Sequence, residues 1–189
     1  MHIDFANCTG KEQWHSVTSH LAKEGIKSIQ IGGLNKTELQ EELQRKAILL
    51  NESAKQLFAS EHFTTSLTRY TLQTVEITAQ DLGFAQGATM TEIVKQAETL
   101  GLSLCPIELA PHLRLQYLDQ PEGYWGQPER VHQAPSGSIT IVSASLSDDH
   151  TIPKGFYVRR IQGELWLRGY RSGPEHIWQP DDHFLFVQA

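Results

Sequence analysis

A chain of 189 residues with 39% hydrophobic and 20% charged side chains can bury a core without disulfide or metal staples, which argues against a disordered or staple-dependent class. Its formal net charge is −6, from 16 basic and 22 acidic groups spread evenly along the chain, so no clustered positive footprint invites nucleic acid. No window approaches the ~20 apolar residues of a membrane span, and the first residues lack the basic-then-apolar order of a signal peptide.

In chain order, His2 to Phe5 reads as a short strand. Thr9 followed by Glu12 reads as a capping box that opens a helix carrying Trp14, Val17 and Leu21, stopped by Gly25. Ile26, Ile29 and Ile31 make an extended stretch ending at Gly32-Gly33. Asn35 with Glu38 is a second cap signal, and the spacing of Leu39, Leu43, Ala47, Leu50, Ala54 and Leu57 predicts one amphipathic helix from Lys36 to Ser60. Arg69 to Thr78 predicts a strand, whose apolar positions shift parity between Leu72 and Val75 as at a bulge or an edge. Thr78 and Thr89 read as N-caps, with Asp81 and Glu92 three residues on, and Gly101 closes a helix from Met90 to Leu100.

The remainder reads as strands at Leu102–Cys105, Leu113–Leu118, Ser138–Ser145, Phe156–Ile161, Glu164–Tyr170 and His183–Val187. Gln162-Gly163 predicts a tight hairpin, and the Pro- and Gly-rich residues 119–137 a surface loop in which Tyr124-Trp125 folds back on the core edge. The expectation is therefore α+β, with N-terminal helices followed by a mostly antiparallel C-terminal sheet or partly closed barrel. It is read as one domain over 1–189, with a seam that would divide a helical part, 1–66, from an α+β part, 67–189.

The stretch GATMTEIVKQAETLGLSLCPIELAPHLRLQYLDQP resembles a signature of a group of uncharacterised bacterial proteins, GLxLCPxxLxPxLRLQYxxQP. The ending ELWLRGY and IWQPDDHFLFV is similar as well. The resemblance implies a bacterial cytoplasmic setting and no mechanism. Two cysteines, Cys8 and Cys105, then read as reduced thiols, Cys105 as a small buried hydrophobe.

The chain has no phosphate loop, dinucleotide fingerprint, H-E-x-x-H helix, nucleophile elbow or C-x₂-C pair, and no cofactor is expected. Residues 78–101 resemble a helix-turn-helix, but Asp81, Glu92 and Glu98 against Lys95 would repel phosphate. Alternation within Leu113–Leu118 places Arg114 and Gln116 on one face, and within Glu164–Tyr170 it places Trp166, Arg168 and Tyr170 together. Arginine beside aromatic rings holds planar or anionic ligands through forked hydrogen bonds and stacking. These five residues are the expected site of a ligand-binding or protein-interaction module, whose partner is a small molecule or a protein and neither nucleic acid nor membrane. Self-association through a sheet edge or the Tyr124-Trp125 loop is a further expectation. The alternative is a hydrolase using scattered acids and imidazoles, with His150, His176, Asp181 and His183 as the metal candidates.

Overall fold

The structure, a computed structural model, describes residues 26–123, 134–147, 149 and 151–188. The expected opening strand, the Thr9 box and its helix, Cys8, Tyr124-Trp125 and His150 lie outside the described residues.

Two of the cap signals do what their spacing predicts. Asn35 Oδ1 accepts from the amides of Thr37 and Glu38 while Glu38 reaches back to the Asn35 amide, opening α1 (Lys36–Arg45) after strand β1 (Ile26–Ile31). The single expected helix nevertheless breaks in the middle. Ala47 takes a left-handed φ of 55°, Leu49–Leu50 pair as a short strand β2, and Asn51 caps a new helix α2 (Glu52–Ala59).

Next come β3 (Tyr70–Thr78), β4 (Ala88–Thr89), α3 (Met90–Thr99), β5 (Leu102–Ser103), α4 (Leu109–Gln116), β6 (Ile139–Ile141), β7 (Gly155–Ile161), β8 (Glu164–Tyr170), β9 (Ile177–Trp178) and β10 (His183–Gln188). Thr89 and Glu92 form the box that opens α3. Thr78 and Asp81 exchange bonds in the same way but hold only a turn, so residues 78–101 contain no helix-turn-helix. The helices are interleaved with strands and are not gathered at the N-terminal side, which corrects the expected order.

The fold is α+β, with a mixed sheet curved into half a barrel in the order β1-β3-β10-β6-β7-β8-β2, and β5 also on β10. β6 runs parallel to β10 and β2 parallel to β8; the other pairings are antiparallel. β3 lies inside the sheet, and its register with β1 runs unbroken from Ile26↔Val75 to Ile31↔Tyr70. The parity shift is therefore neither bulge nor edge. Both faces of the sheet are covered there, so Leu72 packs on one side and Val75 and Ile77 on the other. On the first face α1, α2 and α4 close over Ile31, Val158, Leu167 and Leu185. On the second, Ile93 and Ala97 of α3 pack on Val75, Ile77, Phe184 and Phe186.

One side-chain amide occupies the β1 margin of this sheet, and another prolongs the short β2 pairing along β8. On β1, the Gln116 side chain accepts from the Gln30 amide at 3.1 Å and donates to the Gln30 carbonyl at 2.7 Å. On β8, the Asn51 side chain accepts from the Gly169 amide at 2.8 Å, donates to the Gly169 carbonyl at 2.9 Å and accepts from Ala54. A Cβ at Gly169 would lie 2.6 Å from the Ser53 carbonyl carbon, so only glycine lets α2 seat so closely. Asn51→Ala is expected to lose the cap and both strand bonds and to cost about 2–4 kcal/mol, against about 1–2 kcal/mol for Gln116→Ala, read from urea unfolding midpoints at unchanged slope.

Candidate functional site

The Leu-Arg-Leu-Gln-Tyr segment, expected as a strand, is the second half of helix α4. Its alternation is also compatible with helical burial, since Leu109, Ala110 and Leu113 fall at helical spacing and are all buried. Pro111 sits in the first turn, where its missing amide costs nothing. Glu108, His112 and Gln116 stand four residues apart and face the β1 side. Glu108 accepts from the Ser66 amide at 3.0 Å and the Tyr70 hydroxyl at 3.1 Å. His112 Nε2 accepts from the Gly32 amide at 3.1 Å, so the proton of the neutral ring is on Nδ1 and the Glu108 carboxylate 4.0 Å away is no ion-pair partner.

Arg114 is fully buried. Its Nη1 donates to Gln120 Oε1, and Gln120 in turn donates to the carbonyls of Gly137 at 2.9 Å and Val158 at 3.3 Å. Nε and Nη2 have no hydrogen-bond partner, and burial pushes the guanidinium down to about 10. Arg114 and Gln116 thus tie α4 to the first face of the sheet; neither shares a face with Arg168, which is the correction to the expected five-residue site.

The other three members do share a face. The Gln162-Gly163 turn, with φ of 54° and 78°, sets a two-residue hairpin that pairs Tyr157 with Arg168, Arg159 with Trp166 and Gly155 with Tyr170. Directly opposed residues point the same way, so Tyr157, Arg159, Trp166, Arg168 and Tyr170 lie on the second face. The Arg168 guanidinium sits 5.0 Å from the Trp166 ring centre and 5.9 Å from that of Tyr157. Burial pulls the Arg159 guanidinium below its ordinary value, and the neighbouring Arg168 pulls the same way. Tyr157 and Arg159 are not among the residues expected at the site, although the hairpin read from Gln162-Gly163 already fixes their register.

α3 covers only the β3–β10 half of this face. Beside it, over β6, β7 and β8, lies a cavity of about 250 Å³ whose floor includes Thr140, Tyr157 and Tyr170. Trp178 of β9 forms one wall. Its ring is wedged edge-to-face against Tyr170, Phe184 and His176 at 5.6, 5.4 and 4.9 Å, it is 4% exposed, and its indole N–H has no hydrogen-bond partner. Burial holds the hydroxyls of Tyr170 and Tyr157 above the ordinary phenol value, against a lowering by Arg168 and Arg159 for Tyr157.

The acid and imidazole candidates are dispersed. His183 Nδ1 meets Glu76 at 2.9 Å, a contact that raises the imidazole pKa. Asp182 accepts from the Gln179 amide at 2.8 Å, and burial pushes it up to about 6. Asp181 is exposed, and His176 stacks on Trp178 beside the cavity. Among the described residues no three His, Cys, Asp or Glu side chains gather as metal ligands would. The Cys105 thiol is buried, donates to the Leu185 carbonyl at 3.3 Å and is pushed up by burial, so it is no ready nucleophile. Among the described residues no helix is long and apolar enough to cross a membrane.

Compared with protein-family models, curated proteins and solved structures, the chain matches none.

Two outcomes follow from the buried polar groups. Arg114→Met keeps the length and apolar bulk of the side chain while deleting an uncompensated charge; it should be neutral or stabilising by up to about 4 kcal/mol, whereas Arg114→Ala opens a void and costs about 2–5 kcal/mol, both from thermal and urea unfolding. For His112, burial lowers the folded pKa below the ordinary 6.5, so the contribution of the neutral ring is intact above pH 6.5 and is lost as pH falls from there through the lower folded pKa. Relative to His112→Asn, which cannot titrate, the wild-type protein should lose stability as pH falls below 6.5 in urea titrations.

Proposed function

We propose that this protein is a small-molecule binding module, with its site in the cavity over β6, β7 and β8 and with Trp166 and Arg168 extending it through Tyr157. The observation that carries this reading is a recess left where α3 stops, floored by the hydroxyl-bearing residues Thr140, Tyr157 and Tyr170 and walled by His176 and Trp178. A concave site with aromatic walls and a few convergent polar groups is the usual form of a small-molecule site. Trp166, Arg168 and Tyr170 keep the binding role expected of them; Arg114 and Gln116 do not enter it, because α4 holds both on the other side of the sheet from the cavity. The bacterial cytoplasmic setting implied by the LRLQY signature belongs to the same proposal, and no reaction is assigned.

A polar-fragment library observed by saturation-transfer NMR tests it. Hits on the wild-type protein should lose about tenfold in affinity, about 1.4 kcal/mol, in Arg168→Ala and vanish in Thr140→Leu, which fills the floor, while circular dichroism stays native. Hits that persist unchanged in both variants, or a library with no hits, would refute the site.

A further inference from the structure

We infer that the occupant of this cavity is an uncharged aromatic ring bearing a hydrogen-bonding substituent. The inference rests on the small-molecule reading above and adds the class of ligand.

Charge is the first selector. Among the described residues that line the recess there is no aspartate, glutamate or lysine, and the ionisable side chains are those of Tyr157, Tyr170, Arg171 and His176. Burial holds both phenols above their ordinary value, so they stay protonated and neutral. Arg171 follows Tyr170 and, by strand alternation, points like Gly169 to the first face. There its guanidinium donates to the Ser53 hydroxyl at 3.1 Å and the Gln56 side-chain oxygen at 2.6 Å, both of α2, and to the Thr151 carbonyl at 2.9 Å. The charge of Arg171 is thus carried across the sheet, away from the recess. Arg168 lies outside the lining and stacks on Trp166 at 5.0 Å. An ion of either sign would shed its water on entering and meet no fixed opposite charge among these residues, a cost that a neutral compound escapes.

The surface is the second selector. Tyr157, Tyr170, His176 and Trp178 bring four aromatic rings to the lining, and such rings favour another ring through offset or edge-to-face contact. Ser138 and Thr140, also in the lining, bring hydroxyls that can donate and accept without asking for charge on the ligand. The volume of about 250 Å³ lies below the roughly 300–1,000 Å³ of drug-sized sites, which suits one ring and a short substituent.

The test uses the full chain carrying ¹³C-methyl threonine, at about pH 8, where an ordinary imidazole such as that of His176 is neutral. The Thr140 methyl signal is assigned with Thr140→Ser. Benzamide, benzoate and benzamidine share a ring and differ in charge, and cyclohexanecarboxamide keeps the amide on a puckered, saturated ring. Benzamide should move the Thr140 signal to saturation at concentrations at least about tenfold below each of the other three. Benzoate or benzamidine binding as tightly as benzamide overturns the uncharged class, and cyclohexanecarboxamide doing so overturns the aromatic ring; either result leaves the cavity a small-molecule site. A Thr140 signal that no probe moves overturns the inference, and the fragment experiment then decides separately whether the cavity binds anything.

Discussion

The fold depends on how the two margins of its sheet are closed. A strand margin is a row of unpaired amides and carbonyls, costly if buried dry and sticky if left open. Here a carboxamide side chain, which carries one donor and one acceptor, stands in for strand pairing: Gln116 on Gln30 of β1, and Asn51 on Gly169 of β8 where the short β2 ends. Each of these residues also belongs to a helix or its cap. The bonds that quiet the margin are thus the same bonds that fix where α4 and α2 sit, and the first face of the core is defined between them. One turn back along α4, His112 takes the Gly32 amide just past β1, and Glu108 before the helix holds the Ser66 amide of the loop that leads to β3.

The polar groups of the first face are bound mostly inside the fold: Glu108 by a loop amide and a tyrosine, Arg114 Nη1 by Gln120, and Gln120 by two carbonyls across the core. Buried donors without a hydrogen-bond partner occur on both faces, Arg114 Nε and Nη2 on the first and Arg168 Nε and Trp178 Nε1 on the second. Each such group costs on the order of 1–3 kcal/mol, and the fold carries that cost on either side of the sheet.

Much of the local structure was legible. Asn35-Glu38 and Thr89-Glu92 named their helices, Gln162-Gly163 named its hairpin, and β8 was bounded correctly at both ends, because each of those signals is a short-range bond between neighbours in sequence. What failed was what tertiary contact decides. Leu113 to Tyr117 alternates well enough for a strand, and only its burial against β1 makes it a helix. The break at Ala47 is imposed by β8, more than a hundred residues away, which recruits Leu49 and Leu50 as a parallel partner. The candidate site was half legible for the same reason: Trp166, Arg168 and Tyr170 share a face by strand period alone, while Trp178 and Thr140 join them only through the way β9 and β6 are placed.

The position of β10 bears on how such a chain is made. It lies between β3 and β6 and is the sole neighbour of β6 other than β7, yet it is the last of these strands to leave a ribosome. Until it arrives, β1 with β3 and the β6–β8 meander are two open ribbons with no shared hydrogen bond. Joining them closes a loop of more than a hundred residues between β3 and β10, the kind of long-range pairing that slows folding and exposes nascent strands to chaperones.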